Sequence, residues 1–391
     1  MLLGQDILPK GGETKLNPGT SAKGLLTISL GLRVLLSTPV LFLSVVAAPF
    51  ELQLGHQKEL CFEFPKTTSP QRFNIRVANK LLQLTERKDR DYRSSPSVIE
   101  DWSIRGPSAD TIAGLVEYWS KGYNWKVVEK ELNQQKHYAT TVPGNGNYSA
   151  PIPIHFVHEK LSIKTPSITS YSWLVFDPSR VVESKYGIVT TDIRWLLGMW
   201  MTSDVRKSLV AHFTDFYLVN PSPDDLSRLA QNKTSQEEAD YINAANEWYS
   251  KHFAYATVQT QKPHALSLAM SDSPVGFAGW LWDLKYGSSD GYQYTYDELI
   301  TDTMLMWIQR AHWQHSRLFG FRTDVPTGVT QWGNINGPFE AIAKYPLVPQ
   351  SWVEAAVDVA FFRRHEIGGH FPAVSQPKLW VADVKAFFSS L

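Results

Sequence analysis

Near the C-terminus, Ile367-Gly368-Gly369-His370-Phe371-Pro372-Ala373 sets a histidine after two glycines and ahead of an expected closing helix from Pro377 to Phe388. Glycine accepts the backbone conformations of a tight turn, so the turn can hold the imidazole out over a pocket. An imidazole titrates near neutrality and suits general-base work. Such a base needs a nucleophile and an orienting carboxylate. Asp192 stands between the apolar stretch Tyr186-Gly187-Ile188-Val189-Thr190 and a second apolar stretch from Trp195 to Trp200. Read as strand and helix, these put a carboxylate on a sharp strand-to-helix turn. A carboxylate there can attack a strained electrophile, such as an epoxide, and form a covalent ester. Aspartate ahead of a helix is also the ordinary N-cap, and spacing alone leaves both roles open.

Glu340, in Gly337-Pro338-Phe339-Glu340, follows the expected strand Val325-Pro326-Thr327-Gly328. The order Asp192, Glu340, His370 is nucleophile, acid, base, the chain order of the α/β-hydrolase fold. In that role Glu340 would select the ring tautomer of His370 and support its cationic form. A solvated loop glutamate is the plain alternative. Glu366 and Asp358 are competing acids beside the strand that leads to His370. His365 is a competing base, but Arg364 and Glu366 flank it as they would flank a surface residue.

The elements that must position these side chains can be read from hydrophobic spacing. Residues 49 to about 145 look mostly helical. Ser108-Ala109-Asp110 caps an amphipathic helix with Ile112, Leu115, Val116 and Trp119 on one face, and a second helix runs from Trp125 to about Gln134. Strands are expected at Ile154–His158, at Tyr186–Thr190 and from Phe213 to Val219. Ser222-Pro223 and Ser235-Gln236-Glu237-Glu238 then start helices, the second as a capping box. Helical spacing continues to about Trp313, and strands return at Leu318–Phe321, Val325–Gly328 and Val357–Phe362. Strand–helix alternation with a helical insertion implies an α/β core carrying a helical lid at about 220–315, preceded by a helical arm.

Composition narrows the class. Of 391 residues, 43% are apolar and 19% charged, as in a globular chain, and Lys+Arg and Asp+Glu both number 38. That balance offers no bulk charge for nucleic acid. Cys61 is the single cysteine, which excludes an internal disulfide framework and a cysteine-based zinc site. No glycine-rich phosphate loop follows a strand and the histidines lack metal-ligand spacing, so no cofactor, nicotinamide or metal is expected. Aromatics reach 13%, with 14 Trp, which suits aromatic-lined pockets and rich core packing alike.

The domain plan is a leader over 1–48, an arm over 49–150 and a catalytic unit over 151–391. Within the leader, Gly24 to Ala48 is apolar except for Arg33. A bilayer-spanning helix needs about 20 such residues, so the run reads as a membrane anchor on the endoplasmic reticulum or as a cleaved secretion signal. A leader without either role, in a cytoplasmic chain, is the third reading. The sequons Asn147-Tyr148-Ser149 and Asn232-Lys233-Thr234 are compatible with lumenal exposure.

Several separated motifs in one order add a resemblance. Trp102, Tyr118-Trp119, Gly122-Tyr123-Asn124-Trp125, Glu129, Leu132-Asn133, Tyr138 and Thr140 look like the N-terminal motif of the microsomal-type epoxide hydrolases. Ile154-His155-Phe156-Val157-His158, Tyr255, Gln259, Lys262-Pro263, Ser271-Asp272-Ser273-Pro274-Val275-Gly276, Val325-Pro326-Thr327-Gly328 and Gly368-Gly369-His370-Phe371 continue the likeness across residues 49 to 391. The resemblance implies an α/β-hydrolase fold with a helical lid, and a lipophilic epoxide as substrate. By that likeness Asp192 attacks an epoxide carbon, Tyr255 donates to the oxirane oxygen, and His370, oriented by Glu340, activates water to release a diol. It also implies roles in secondary metabolism or aromatic-hydrocarbon breakdown. Tyr255 as a half-buried packing residue is the alternative.

The chain departs from the pattern in three places. The position of a second lid tyrosine is taken by Phe319, which has no hydroxyl. Arg194 follows two residues after Asp192, where a small residue is usual. Its guanidinium could crowd the turn or hold Asp192 as an ion pair. Finally, no histidine in the chain precedes a glycine, so the family's H-G-x-P oxyanion loop is missing. The stretch from His158 to Asp192 is too short for the two strands and two helices expected there, which need roughly 60 residues. A truncated sheet follows, from an incorrectly spliced gene or from a shortened paralogue.

Overall fold

The structure is a computed structural model that describes residues 64–144, 151–157, 186–192, 194–261, 263–308 and 324–391. The leader with its apolar run, the stretch from His158 to the Tyr186 strand, Phe319 and the expected strand at 318–321 lie outside the described residues. No helix among the described residues is long and apolar enough to cross a membrane.

The arm begins with β1 (Gln71–Phe73), followed by α1 (Asn79–Arg90), the short α2 (Trp102–Arg105), α3 (Ala109–Lys121) and α4 (Trp125–Leu132). Helix α3 starts where its cap predicts: the Ser108 hydroxyl accepts from the Thr111 N–H at 3.1 Å, and Ile112, Leu115 and Trp119 are buried. The arm is not wholly helical. Strand β2 (His137–Val142) pairs antiparallel with β1 and with β3 (Ile152–Val157), and the three form a sheet of their own. The Thr-rich segment of β2 gives no long apolar run, so sequence pattern does not separate it from the helices before it.

The part that follows is built on β4 (Tyr186–Thr190), α5 (Arg194–Asp204) and β5 (Leu209–Thr214). The lid follows: α6 (Pro223–Ala230), α7 (Gln236–Glu247), a π-helical turn over Trp248–His252, α8 (Ala254–Gln261), α9 (Pro263–Asp272), α10 (Pro274–Ser288) and α11 (Tyr296–Trp307). Capping boxes at Ser222/Asp225 and Ser235/Glu238 start α6 and α7. The chain then returns through β6 (Thr327–Trp332), α12 (Gln350–Ala356), β7 (Val359–His365), α13 (Pro372–Ser375) and α14 (Pro377–Ser389).

The four strands β4-β5-β6-β7 lie side by side, all parallel. Every residue of β6 is buried, as expected for a strand covered on both faces. On one face, Trp195 and Met199 of α5 and Val353 of α12 pack with Val329. On the other, Trp380, Val384 and Phe387 of α14 pack with Ala211, Phe213 and Trp332. Parallel strands deliver their C-terminal ends to one edge, and Asp192, Glu340 and His370 follow such ends, whereas Tyr255 comes from the lid.

Arm and lid share one core. Leu81, Ile112, Leu115 and Trp119 from the arm pack with Val275, Phe277, Leu281, Leu299, Ile300 and Met304 from α10 and α11. Trp102 stacks on Tyr286 at 3.9 Å between ring centroids, and its indole donates to Asp283 at 2.8 Å. Tyr118 donates to Asp297 at 2.9 Å. The arm therefore packs against the last two lid helices, α10 and α11.

Candidate active site

Asp192 is at the first turn beyond β4 and has φ 51°, in the left-handed region. An N-cap residue takes extended backbone, so this aspartate is not an ordinary cap. Holding a non-glycine residue there costs about 1–2 kcal/mol, and the neighbouring elements must impose it. Strand β4 is anchored on β5, and the Trp195 N–H already donates to the Asp192 carbonyl at 3.0 Å as α5 begins. The sharp turn lifts the carboxylate off the sheet edge.

Opposite it, the Gly368-Gly369 turn beyond β7 carries His370. Gly368 has φ 124° and Gly369 φ 64°. A Cβ on Gly369 would lie 2.4 Å from the Ser288 carbonyl oxygen, so only glycine fits. The turn is tied down: Gly368 N–H donates to Asp290 Oδ2 at 2.7 Å, Gly369 N–H to Gly333 O at 2.9 Å, and His370 N–H to Ser288 O at 2.7 Å. The result is a hydrogen bond between His370 Nε2 and Asp192 Oδ1 at 2.9 Å. Phe216 and Phe371 meet the imidazole edge-on, each with a centroid 4.8 Å away. Burial disfavours the imidazolium, but the charge of Asp192 and its hydrogen bond, with Asp215 behind it, outweigh that cost and raise the His370 pKa.

Arg194, at the start of α5, makes no ion pair with Asp192, which pairs with His370. Glu340 corrects an expectation. It opens a short 3-10 turn over Glu340–Ile342, is exposed, and makes no hydrogen bond or ion pair to His370 among the described residues. The preceding residue, Phe339, packs its ring 4.5 Å from that of His252. Glu366 and Asp358 make no hydrogen bond to His370 either. His365 is half-buried, stacks on Trp332 and contacts the buried Asp383 at 2.6 Å through Nε2, away from His370.

The comparisons with known proteins bear on this pair. Residues 70–176 match the family model described as epoxide hydrolase N terminus. A candidate epoxide hydrolase of Stigmatella aurantiaca is 24% identical over 75% of this chain and 78% of its own length. Epoxide hydrolase 1 of Sus scrofa is 19% identical over 82% of this chain and 88% of its own. In fold, the crystal structure of juvenile hormone epoxide hydrolase from Bombyx mori superposes with a TM-score of 0.63 at 17% identity, covering 83% of this chain and 95% of that one. The chain is similar to epoxide hydrolases: residues 70–176 match their N-terminal domain, and its α/β fold with a parallel sheet resembles theirs.

Tyr255, the lid residue singled out by the epoxide hydrolase motifs, lies at the start of α8, half-buried between Trp248 and Phe253. Burial raises its pKa, and the Asp192 charge adds to the rise. The phenol thus keeps its proton and faces the field of the carboxylate. Trp248 stacks on Tyr345 at 4.9 Å, which completes an aromatic wall behind Tyr255.

One acidic residue escaped the sequence reading. Asp215 directly follows β5, is 6% exposed, and accepts from the Trp380 indole at 2.6 Å through Oδ2. Burial pushes its pKa up to about 7; the Thr191 and Trp380 side chains and the nearby His370 offset only part of that rise, and Asp192 adds to it. The strand expected from Phe213 to Val219 hid it. The actual strand ends at Thr214, whose hydroxyl donates to the Phe216 carbonyl at 2.8 Å and turns the chain out of the sheet. Read with that offset, an aspartate after a buried strand would have been a candidate.

Proposed function

We propose that this chain opens a lipophilic epoxide through an aspartyl ester and hydrolyses the ester to a diol. The observation that carries the reading is the Asp192–His370 hydrogen bond, made by a carboxylate on a positive-φ turn after a buried parallel strand. Asp192 attacks an oxirane carbon as the ring C–O bond breaks, and Tyr255 gives its proton to the departing oxygen. His370 then takes a proton through Nε2 from water, which attacks the ester carbonyl. The acyl C–O bond breaks, His370 returns its proton to the departing diol oxygen, and water's second proton passes from the new Asp192 carboxyl to the Tyr255 phenolate. The aromatic wall of Trp248, Phe253 and Tyr345 favours an apolar substituent on the epoxide.

A styrene-oxide-type epoxide tests this. In a single turnover in H₂¹⁸O the label enters the Asp192 carboxylate and not the diol, and Asp192→Ala abolishes turnover and ester trapping. Unchanged activity in that variant rejects the assignment.

The missing H-G-x-P motif supports a second reading, a shortened paralogue that binds or rearranges epoxides without full hydrolysis. Losing one oxyanion donor costs roughly 10²–10³ in rate where measured. That reading predicts saturable epoxide binding with an accumulating ester, or an aldehyde or cyclised product, in place of the diol.

A further inference from the structure

Two groups in the site, a buried carboxylate and a half-buried imidazole, are left half-used. Asp215 Oδ2 is taken by the Trp380 indole, while Oδ1 is fully buried and has no hydrogen-bond partner among the described residues. His370 uses Nε2 on Asp192, while Nδ1 makes no hydrogen bond among the described residues. Leaving a buried carboxylate oxygen unpaired costs free energy unless a donor comes within reach.

The topology brings these two residues to one edge. Asp215 ends β5, the strand between the one that delivers Asp192 and β6, and its N–H reaches the Thr190 carbonyl of β4 at 3.4 Å. The next residue, Phe216, packs against the His370 ring. Glu340 is exposed. Asn334, just beyond β6 and close to where an acid would act, is committed elsewhere: it donates to Gly287 O at 3.0 Å and accepts from Asp290 N–H at 2.6 Å. No other buried carboxylate of the described residues borders both Asp192 and His370; the charges of both are felt at Asp215.

We propose that Asp215, in place of Glu340, is the positioning carboxylate of His370: its free Oδ1 accepts from Nδ1–H and so presents Nε2 to Asp192 and to the hydrolytic water. The bracing acid of this chain has thus moved from the loop after β6 to the end of β5. Trp380, from α14 on the opposite side of the sheet, fixes the carboxylate by holding Oδ2. When water gives its proton to Nε2, the Asp215 charge stabilises the imidazolium, and no proton passes to Asp215.

The proposal rests on His370 being the base of the reaction proposed above, but it is tested without turnover. Histidine-selective NMR follows the titration of His370 in the full chain as wild type, Asp215→Asn and Glu340→Gln. Asp215→Asn lowers the His370 pKa by about one unit, the low end for losing a nearby opposite charge, and Glu340→Gln leaves it unchanged. An unchanged titration in Asp215→Asn, or an equal fall in Glu340→Gln, overturns the proposal. Should Asp215→Asn fail to fold, the wild-type ring nitrogens decide: neutral His370 protonated on Nδ1 supports the brace, and the Nε2–H tautomer refutes it. In wild type that consumes an epoxide, Asp215→Asn slows ester hydrolysis more than ester formation, whereas absence of any epoxide turnover removes the functional reading and leaves the NMR result standing.

Discussion

His370 Nε2 stands 2.9 Å from Asp192 Oδ1 although the two residues are 178 positions apart in the chain. The contact is made by two left-handed turns, one at φ 51° on Asp192 and one at φ 64° on Gly369, that face each other across the edge of a parallel sheet.

His370→Gln separates the two chemical steps. Ester formation needs only Asp192 and the lid donor, so it persists, while ester hydrolysis falls by about 10²–10⁴, the usual contribution of a general base. Rapid quench and denaturation after mixing with epoxide recover protein heavier by one substrate. Equal loss of both steps would place His370 elsewhere in the reaction.

Tyr255→Phe acts on the other step. With phenylalanine at position 319, no second hydroxyl from that position shares the task. Ester formation therefore drops by about 10² or more, and ester hydrolysis, once the ester is formed, is unaffected. Pre-steady-state measurement of the burst resolves the two.

The pH dependence has a definite sign. The His370 pKa is raised above 6.5 because the carboxylates of Asp192 and Asp215 outweigh burial. Its contribution to stability is present below the unfolded pKa and is lost as pH rises through the folded one. Removing the nearest charge by Asp192→Asn leaves burial to dominate, so the titration of His370 moves downward. Esterification of Asp192 has the same consequence, and so frees the imidazole to act as a base in the covalent intermediate. NMR titration of the Asp192→Asn variant measures the fall; no change would mean that Asp192 is not the governing charge.

Asp89 is a separate stability lever in the arm. It is 1% exposed, its Oδ1 has no hydrogen-bond partner among the described residues, and burial raises its pKa to about 6. A carboxyl with a raised folded pKa stabilises the fold while protonated and loses that contribution as pH climbs from its unfolded value toward about 6. Asp89→Asn is expected to add about 1–3 kcal/mol at pH 7, with little gain at pH 4. Urea melts at the two pH values give the comparison, and equal gains at both would reject burial of the charge as the cause.

The shared core of arm and lid makes a further prediction. Leu115 is fully buried where α3 meets the lid helices. Leu115→Ala costs about 2–5 kcal/mol, read as a shift of the urea midpoint. Because α10 also carries Ser288, whose carbonyl holds the His370 N–H, the variant lowers turnover beyond its loss of folded protein. Full specific activity per folded molecule would show that the lid does not transmit the change.

Much of the frame was legible in the chain because local signals were strong and unopposed. Ser108 caps α3 as its spacing indicates, the boxes at Ser222 and Ser235 start their helices, and the apolar Tyr186–Thr190 run is strand β4 as expected. Asp192 and His370 sit on the turns expected for them. Elsewhere the periodicity was ambiguous. The β6 strand was expected to start at Val325 but begins at Thr327, after Pro326, which has no N–H to give the ladder. The β5 strand was expected to end at Val219 but ends at Thr214.

By itself, then, the sequence determined the elements, their caps and the two turns that present chemistry, since these depend on neighbours a few residues away. Only the tertiary structure decided which carboxylates are buried at the sheet edge beside the imidazole. An exposed Glu340 and a buried Asp215 are alike as letters, and their difference lies in which strand end each occupies and in what packs over it. Burial and long-range charge are properties of the assembled sheet, and no local pattern encodes them.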